Sequence, residues 1–202
     1  MALWLAAKPL MLASKSATRR AVLEAAGIPI EIEPADIDER GIEARASTQG
    51  AGMVAALLAR EKARAVSAKY PDRMVLGADQ TLALGQRRFS KAPNRAVARE
   101  QLAALRGATH SLHSAAAVMR GGAALFEHVD AAHLTMRNFS DAYLDSYFDT
   151  VGDKALSSVG GYQLEGTGIQ LFERVEGDHF TVLGLPLFAL LNWLRNAGLL
   201  AK

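Results

Sequence analysis

The sequence predicts an α/β protein with a mixed central β-sheet flanked by helices. Through the first half, short apolar runs that read as buried strands alternate with stretches of helical periodicity, which is the pattern of parallel strands joined by helices. In the second half, extended segments follow one another with turn residues between them, which is the pattern of antiparallel pairing. A chain of 202 residues that is 50% hydrophobic also has enough apolar material for one substantial core, in one domain or in two tightly joined lobes.

Leu10 to Ala13 is a continuous apolar run and reads as a buried strand. Ser14 to Ser16 turn the chain into a helix over Ala17 to Ala26, with Val22, Leu23 and Ala26 on one face and Gly27 to stop it. Ile28 to Ile32 reads as a second strand, followed by the acidic run Asp36-Ile37-Asp38-Glu39. Apolar positions at 53, 54, 57, 58 and 65 give Met53 to Lys69 helical spacing. Met74 to Leu76 is a buried strand ending at Gly77-Ala78-Asp79, with another short strand over Thr81 to Leu84. Ala96 to Leu105 reads as helix, and Ser111 to Met119 and Ala131 to Arg137 as strands. Ser140 is placed to cap a helix through Tyr147. Ile169 to Val175 and Phe180 to Leu183 read as a hairpin around Gly177-Asp178, and Pro186 opens a last helix that ends near Gly198. No linker, repeat or low-complexity tract divides the chain, so residues 1–202 are taken as a single domain.

Composition excludes several classes. Lys and Arg number 23 against 21 Asp and Glu, a net charge of +2, so the balance gives no argument for stable nucleic-acid binding, yet it permits a local cationic pocket. The absence of Cys removes disulfides, thiolate metal sites and a Cys nucleophile. The first eight residues lack a basic leader segment, and the longest apolar stretches fall short of the ~20 residues that cross a bilayer, so the chain is read as soluble and cytoplasmic, without a membrane partner. The five His residues form no recognisable site and are read as structural or surface groups.

Four constellations carry possible chemistry. Ser14-Lys15-Ser16-Ala17-Thr18-Arg19-Arg20 follows a strand and opens a helix, where unpaired N–H groups and the positive dipole end suit phosphate; an ordinary capped helix start is the alternative. Asp79, read at the end of an apolar strand, is placed to hold a divalent ion, orient water or accept a proton, or to form a simple Asx turn. Glu39 closes an acidic run of hard oxygen ligands that is otherwise a solvated loop, and Lys62 and Lys91 are cations within reach of phosphates or of water. Gly160 to Gly168 is a Gly-rich stretch whose Glu165 is placed to accept hydrogen bonds from base N–H groups, or it is a flexible connection.

These pieces, in order, resemble the Maf-type nucleotide pyrophosphatases: Leu12 to Arg20, Asp38-Glu39, Glu61-Lys62-Ala63, Gly77-Ala78-Asp79-Gln80, Lys91 and Gly184-Leu185-Pro186-Leu187. The resemblance runs from about Leu10 to Gly198. It implies a fold related to the inosine triphosphate pyrophosphatases, two lobes around a cleft, and hydrolysis between the α- and β-phosphates with Mg²⁺ or Mn²⁺. By position it implies that Ser14, Ser16 and Arg19 hold phosphates, that Glu39 helps bind metal, and that Lys62 and Lys91 neutralise triphosphate charge. It further makes Asp79 the proton acceptor, with a role as metal ligand equally open. A homodimer is expected from the family alone.

Substrate preference follows the positions at which subgroups differ, here Thr18, Gln80 and Glu165. The Asp79-Gln80 pair and the stretch from Glu165 to Arg174 resemble the subgroup that cleaves 7-methyl-GTP, and a carboxylate at 165 suits the N–H edge of a guanine made cationic by methylation. Thr18 departs from the larger residue of that subgroup; from the family's usual pattern, Ala17 departs from Pro, Ser90-Lys91-Ala92-Pro93 from Gly-Lys-Pro, and His113-Ser114-Ala115 from Tyr-Thr-Gly. The alternatives are a pyrophosphatase preferring dTTP, UTP or ITP, or a non-catalytic nucleotide-binding regulator of cell division.

Overall fold

The computed structural model describes residues 3–202. Its seven strands form a mixed sheet in the order β2-β1-β3-β5-β6-β7, with β4 paired to β3. The strands are β1 (Leu10–Leu12), β2 (Ile30–Ile32), β3 (Val75–Leu84), β4 (Arg87–Phe89), β5 (Thr109–Arg120), β6 (Ala123–Met136) and β7 (Phe172–Glu176). The helices are α1 (Ala17–Ala25), α2 (Glu39–Arg45), α3 (Ala51–Lys69), α4 (Arg95–Leu105), α5 (Asp141–Val151), α6 (His179–Val182) and α7 (Leu187–Asn196). β1 pairs in parallel with β2 and β3, whereas β3–β4 and β6–β7 are antiparallel. The mixed α/β class read from the sequence is therefore the class observed. No helix among the described residues is long and apolar enough to cross a membrane.

The chain forms two compact units. One holds the chain up to Gln80 together with His113–Asp130 and Asp178–Lys202; the other holds Thr81–Leu112 and Ala131–Gly177. In the first unit, β1 is apolar at every position because both of its faces are covered. Successive strand side chains point to opposite faces. Leu10 and Leu12 accordingly join a core with Val22 and Leu23 of α1 and Leu190 and Leu194 of α7. Met11 and Ala13 join a second core with Ala55, Ala59, Ala63 and Val66 of α3. The α3 face is lined by Ala at a four-residue spacing, so that helix lies close against the sheet.

Three local expectations are corrected. Gly77 to Gln80 is not a turn between two short strands but the middle of β3, one ten-residue strand, so Asp79 does not sit at a strand end. Gly and Asp read as turn formers, yet here tertiary packing selects them. Phe180 to Leu183 is not the second arm of a hairpin: Asp178 caps a helical turn there, its Oδ2 accepting from the Thr181 N–H at 3.0 Å and from the Thr181 hydroxyl at 3.2 Å. β7 pairs with β6 instead. The acidic run is not a loop throughout, since Asp38 caps α2 by accepting from the Gly41 N–H at 3.0 Å, which sets Glu39 in the first helical turn.

In the second unit Leu102 and Leu105 of α4 are buried, as are His110, Tyr147 and Tyr162. Ser140 caps α5 as expected, accepting from the Tyr143 N–H at 3.1 Å. His110 on β5 is 1% exposed; its Nε2 lies 2.7 Å from the Tyr162 hydroxyl, and its Nδ1 is buried without a partner among the described residues. Tyr147 donates to the Gly161 carbonyl at 3.1 Å. Burial pushes the His110 imidazole down to about 4 and the Tyr147 phenol up to about 12.

The His110 shift makes stability depend on pH. Above pH 6.5 the imidazole is neutral in both the folded and the unfolded chain. As pH falls from 6.5 toward 4, the unfolded chain takes up a proton that the folded chain does not, so stability declines over that window. The full loss is about 3 kcal/mol at ~1.4 kcal/mol per pKa unit. In urea titrations, His110→Leu is expected to lose less stability than the parent chain between pH 7 and pH 4, by roughly that amount. Parallel declines would show that His110 is not the titrating group.

Candidate active site

The site forms in the first unit around a buried ion pair. Gly77 makes it possible. A Cβ at that position would press into the Ala59 carbonyl oxygen and lie 2.6 Å from the Ala63 backbone nitrogen, so only glycine lets α3 approach β3 this closely. Two residues along β3 from Gly77, Asp79 then meets Lys62, which is one residue before Ala63 on α3. The Lys62 ammonium donates to Asp79 Oδ1 at 2.5 Å and lies 3.1 Å from Glu39 Oε2. Both members of the inner pair are 7% exposed, while the Glu39 carboxylate is about half exposed.

Arg19 is the second buried cation, 9% exposed on α1. Its Nε donates to the Gly184 carbonyl at 2.8 Å and its Nη1 to Ser14 Oγ at 3.3 Å. Among the described residues Nη2 has no protein acceptor, so the guanidinium keeps donors for an outside oxygen. Ser14 Oγ also accepts from the Ser16 N–H at 3.2 Å, and Ser16 Oγ caps α1 by accepting from the Arg19 N–H at 3.3 Å. Both hydroxyls act here as acceptors, which leaves each O–H to donate. The N-terminal end of α1 thus gathers two hydroxyl donors, a guanidinium and the positive end of a nine-residue helix.

The electrostatics follow from this burial. Desolvation raises the Asp79 pKa, against the pull of the Lys62 and Arg19 cations, which makes the carboxylate a better proton acceptor than an exposed Asp. Desolvation also lowers the Arg19 pKa, with Asp79 and Glu39 opposing it, and an arginine remains charged regardless. Two cations thus face two carboxylates.

The structure therefore brings Ser14, Ser16, Arg19, Glu39, Lys62 and Asp79 together. Thr18 lies half-buried in the first turn of α1, and Gln80 follows Asp79 on β3 with its amide nitrogen bonded within the protein. Lys91 and Glu165 belong to the second unit, where both are exposed, Lys91 between β4 and α4 and Glu165 in a turn before β7. Thr181 was not singled out from the sequence, and Ser114 was noted only within His113-Ser114-Ala115. Gly184 was noted within Gly184-Leu-Pro-Leu187, but its carbonyl bond to Arg19 links residues 165 apart and has no local signal.

Among the described residues no three His, Asp or Glu side chains form a ready cation cage. The remaining donor set is the carboxylate pair Glu39 and Asp79. Hard oxygen donors of that kind fit Mg²⁺ or Mn²⁺, which are commonly held by one or two carboxylates and completed by substrate phosphates and water.

The family model described as "Maf-like protein" matches residues 9–197. A protein of Rhodopseudomonas palustris named nucleoside triphosphate pyrophosphatase is 55% identical over 201 residues, covering 100% of both chains. A Bradyrhizobium diazoefficiens protein of the same name is 53% identical, again over 100% of both. A Rhizobium etli protein named 7-methyl-GTP pyrophosphatase is 50% identical, covering 94% of this chain and 96% of its own. Among solved structures, a HAM1 protein from Coxiella burnetii aligns over 65% of this chain and 74% of its own at 15% identity and a TM-score of 0.41, too slight a likeness to carry an argument.

The packing behind the site is testable without substrate. Gly77→Ala is expected to lower stability by about 3 kcal/mol, toward the upper end for overpacking, because the obstructing atoms are backbone. A urea midpoint equal to that of the parent chain would contradict the close approach of α3 to β3.

Proposed function

The chain belongs to the Maf family, and on that premise we propose that it is a cytoplasmic, metal-dependent nucleoside triphosphate pyrophosphatase whose preferred substrate is 7-methyl-GTP. The observation that carries the reading is the buried Asp79 carboxylate beside Lys62, in one unit with the phosphate-suited start of α1. A protein that only bound nucleotides would not require a carboxylate beside its cations.

Hydrolysis of a phosphoric anhydride needs positioning and charge stabilisation more than a protein nucleophile. The Ser14 and Ser16 hydroxyls, the first N–H groups of α1 and the Arg19 guanidinium would hold phosphate oxygens. Lys62 would neutralise charge that builds on them. Asp79 Oδ1 accepts from Lys62, and Oδ2 would take the proton from a water attacking the α-phosphorus, releasing nucleoside monophosphate and pyrophosphate. Glu39 would hold Mg²⁺ or Mn²⁺, with Asp79 as a ligand in the alternative to its role as base, and the ion when bound would supply further positive charge to the phosphates.

For the base, the support is the Rhizobium etli relative's name and two residues at positions where subgroups differ, Thr18 and Glu165. An exposed carboxylate such as Glu165 favours a base that carries positive charge.

Pyrophosphate release with Mg²⁺ or Mn²⁺ is the test, across 7-methyl-GTP, GTP, UTP, dTTP, CTP and ITP. Turnover is expected to be fastest on 7-methyl-GTP, and Asp79→Asn to cost at least about a hundredfold in kcat, the scale of a lost general base. Faster turnover of dTTP, UTP or ITP would overturn the base assignment alone, and binding without turnover would leave a nucleotide-binding regulator. The acid limb of kcat/KM against pH is expected above the ordinary Asp value of 3.8, because burial raises Asp79. A limb at or below that value would remove Asp79 as the base.

A further inference from the structure

Gln80 follows Asp79 on β3 and stands, from the sequence, among the candidate substrate contacts. Its amide nitrogen is committed inside the first unit. Nε2 donates to the carbonyls of Thr181 and Val182, each at 3.0 Å, and lies 3.1 Å from Ser114 Oγ. The Ser114 hydroxyl donates to the same Thr181 carbonyl at 2.7 Å. Two backbone carbonyls can only accept, so the NH₂ side of the amide must face them.

Those carbonyls belong to α6, which has four residues and is too short to persist on helix propensity. Its last carbonyls have no intrahelical donor of their own. Asp178 ties down its start, and Gln80 and Ser114 tie down its end. The chain then leaves α6 through a Schellman motif: the Gly184 N–H bonds the Thr181 carbonyl at 3.1 Å and the Leu185 N–H bonds the Phe180 carbonyl at 3.0 Å. Gly184 has φ +95°, a conformation that side-chain-bearing residues rarely adopt. This turn sets the direction of the Gly184 carbonyl, and that carbonyl accepts from Arg19 Nε at 2.8 Å.

We propose that Gln80 is a positioning residue for Arg19: by holding the carbonyl end of α6 it fixes the Gly184 carbonyl that orients the guanidinium, and so governs grip on the polyphosphate rather than choice of base. The proposal rests on the reading of Arg19 as a phosphate contact.

The test uses the full chain with a probe that has no base, inorganic tripolyphosphate, titrated calorimetrically with Mg²⁺ present. Gln80→Glu keeps the side-chain shape and replaces the donors with acceptor oxygens. It is expected to weaken tripolyphosphate binding about tenfold, the scale of one lost charge-oriented contact. It should raise KM for 7-methyl-GTP, GTP and UTP by one common factor, and add nothing when combined with Arg19→Lys. Ser114→Ala, a milder change that carries the test if Gln80→Glu does not fold, should act in the same direction and less strongly. In the ¹⁵N-arginine-labelled protein, solvent exchange of the Arg19 Nε–H should speed up in both variants.

Unchanged tripolyphosphate affinity with altered ratios among the three nucleotides would overturn the proposal and make Gln80 a reader of the base. Full additivity with Arg19→Lys would overturn it as well. A different pattern marks failure of the underlying site assignment: Arg19→Lys without effect on tripolyphosphate, while the Arg19 Nε–H exchange still responds to Gln80→Glu. In that case Gln80 orients Arg19 but Arg19 does not grip phosphate, and both readings fall together.

Discussion

The contact between α3 and β3 at Gly77 is the constraint on which the candidate site depends. Where Ala59 and Ala63 meet a residue without a Cβ, the helix comes close enough for Lys62 to reach Asp79 at 2.5 Å. A larger residue at any of the three positions would separate helix and strand, and the ion pair would open into water. A buried ion pair is weak evidence of stability, because desolvating two charges offsets much of their attraction. Its position in a protein of this family makes more sense as preparation for chemistry. The pair keeps a carboxylate dry and raised in pKa beside a buried cation.

Arg19 shows a second way of preparing charge. Its guanidinium is anchored on a backbone carbonyl and on Ser14 Oγ, and both are groups fixed by helix ends rather than by long flexible side chains. α1 begins where Ser16 caps it, and α6 ends where Gly184 reverses the chain. Anchors of this kind cost little reorganisation when substrate arrives, the condition under which electrostatic stabilisation acts most strongly. The same economy appears in Gln80, whose two N–H groups serve the C-terminal carbonyls of a helix that could not hold itself.

Much of this was legible in the residues. The alternation of apolar runs with helical periodicity gave the α/β class, and Ser16, Ser140 and Pro186 marked helix starts close to where α1, α5 and α7 begin. The order of short motifs gave the family and nominated Ser14, Ser16, Arg19, Glu39, Lys62 and Asp79, which the fold brings into one unit. The expectations that failed share a cause. Gly77-Ala78-Asp79 and Gly177-Asp178 were read by turn chemistry, which is a local preference. Residues distant in sequence use Gly77 for packing and Asp79 for an ion pair, and Asp178 caps a helical turn.

The sequence by itself determined the α/β class, the buried strand β1 and the helices α1, α3, α4, α5 and α7, which side chains carry charge, and which family the chain belongs to, because periodicity, capping and motif order are written over short distances. Only the tertiary structure decided that Asp79 sits in mid-strand, that Lys62 is its partner, that the Gly184 carbonyl orients Arg19, and that Gln80 spends its donors on α6. Each of these joins residues well separated along the chain, in one case 165 apart. Their chemistry depends on burial and distance, which are properties of packing that no local pattern contains.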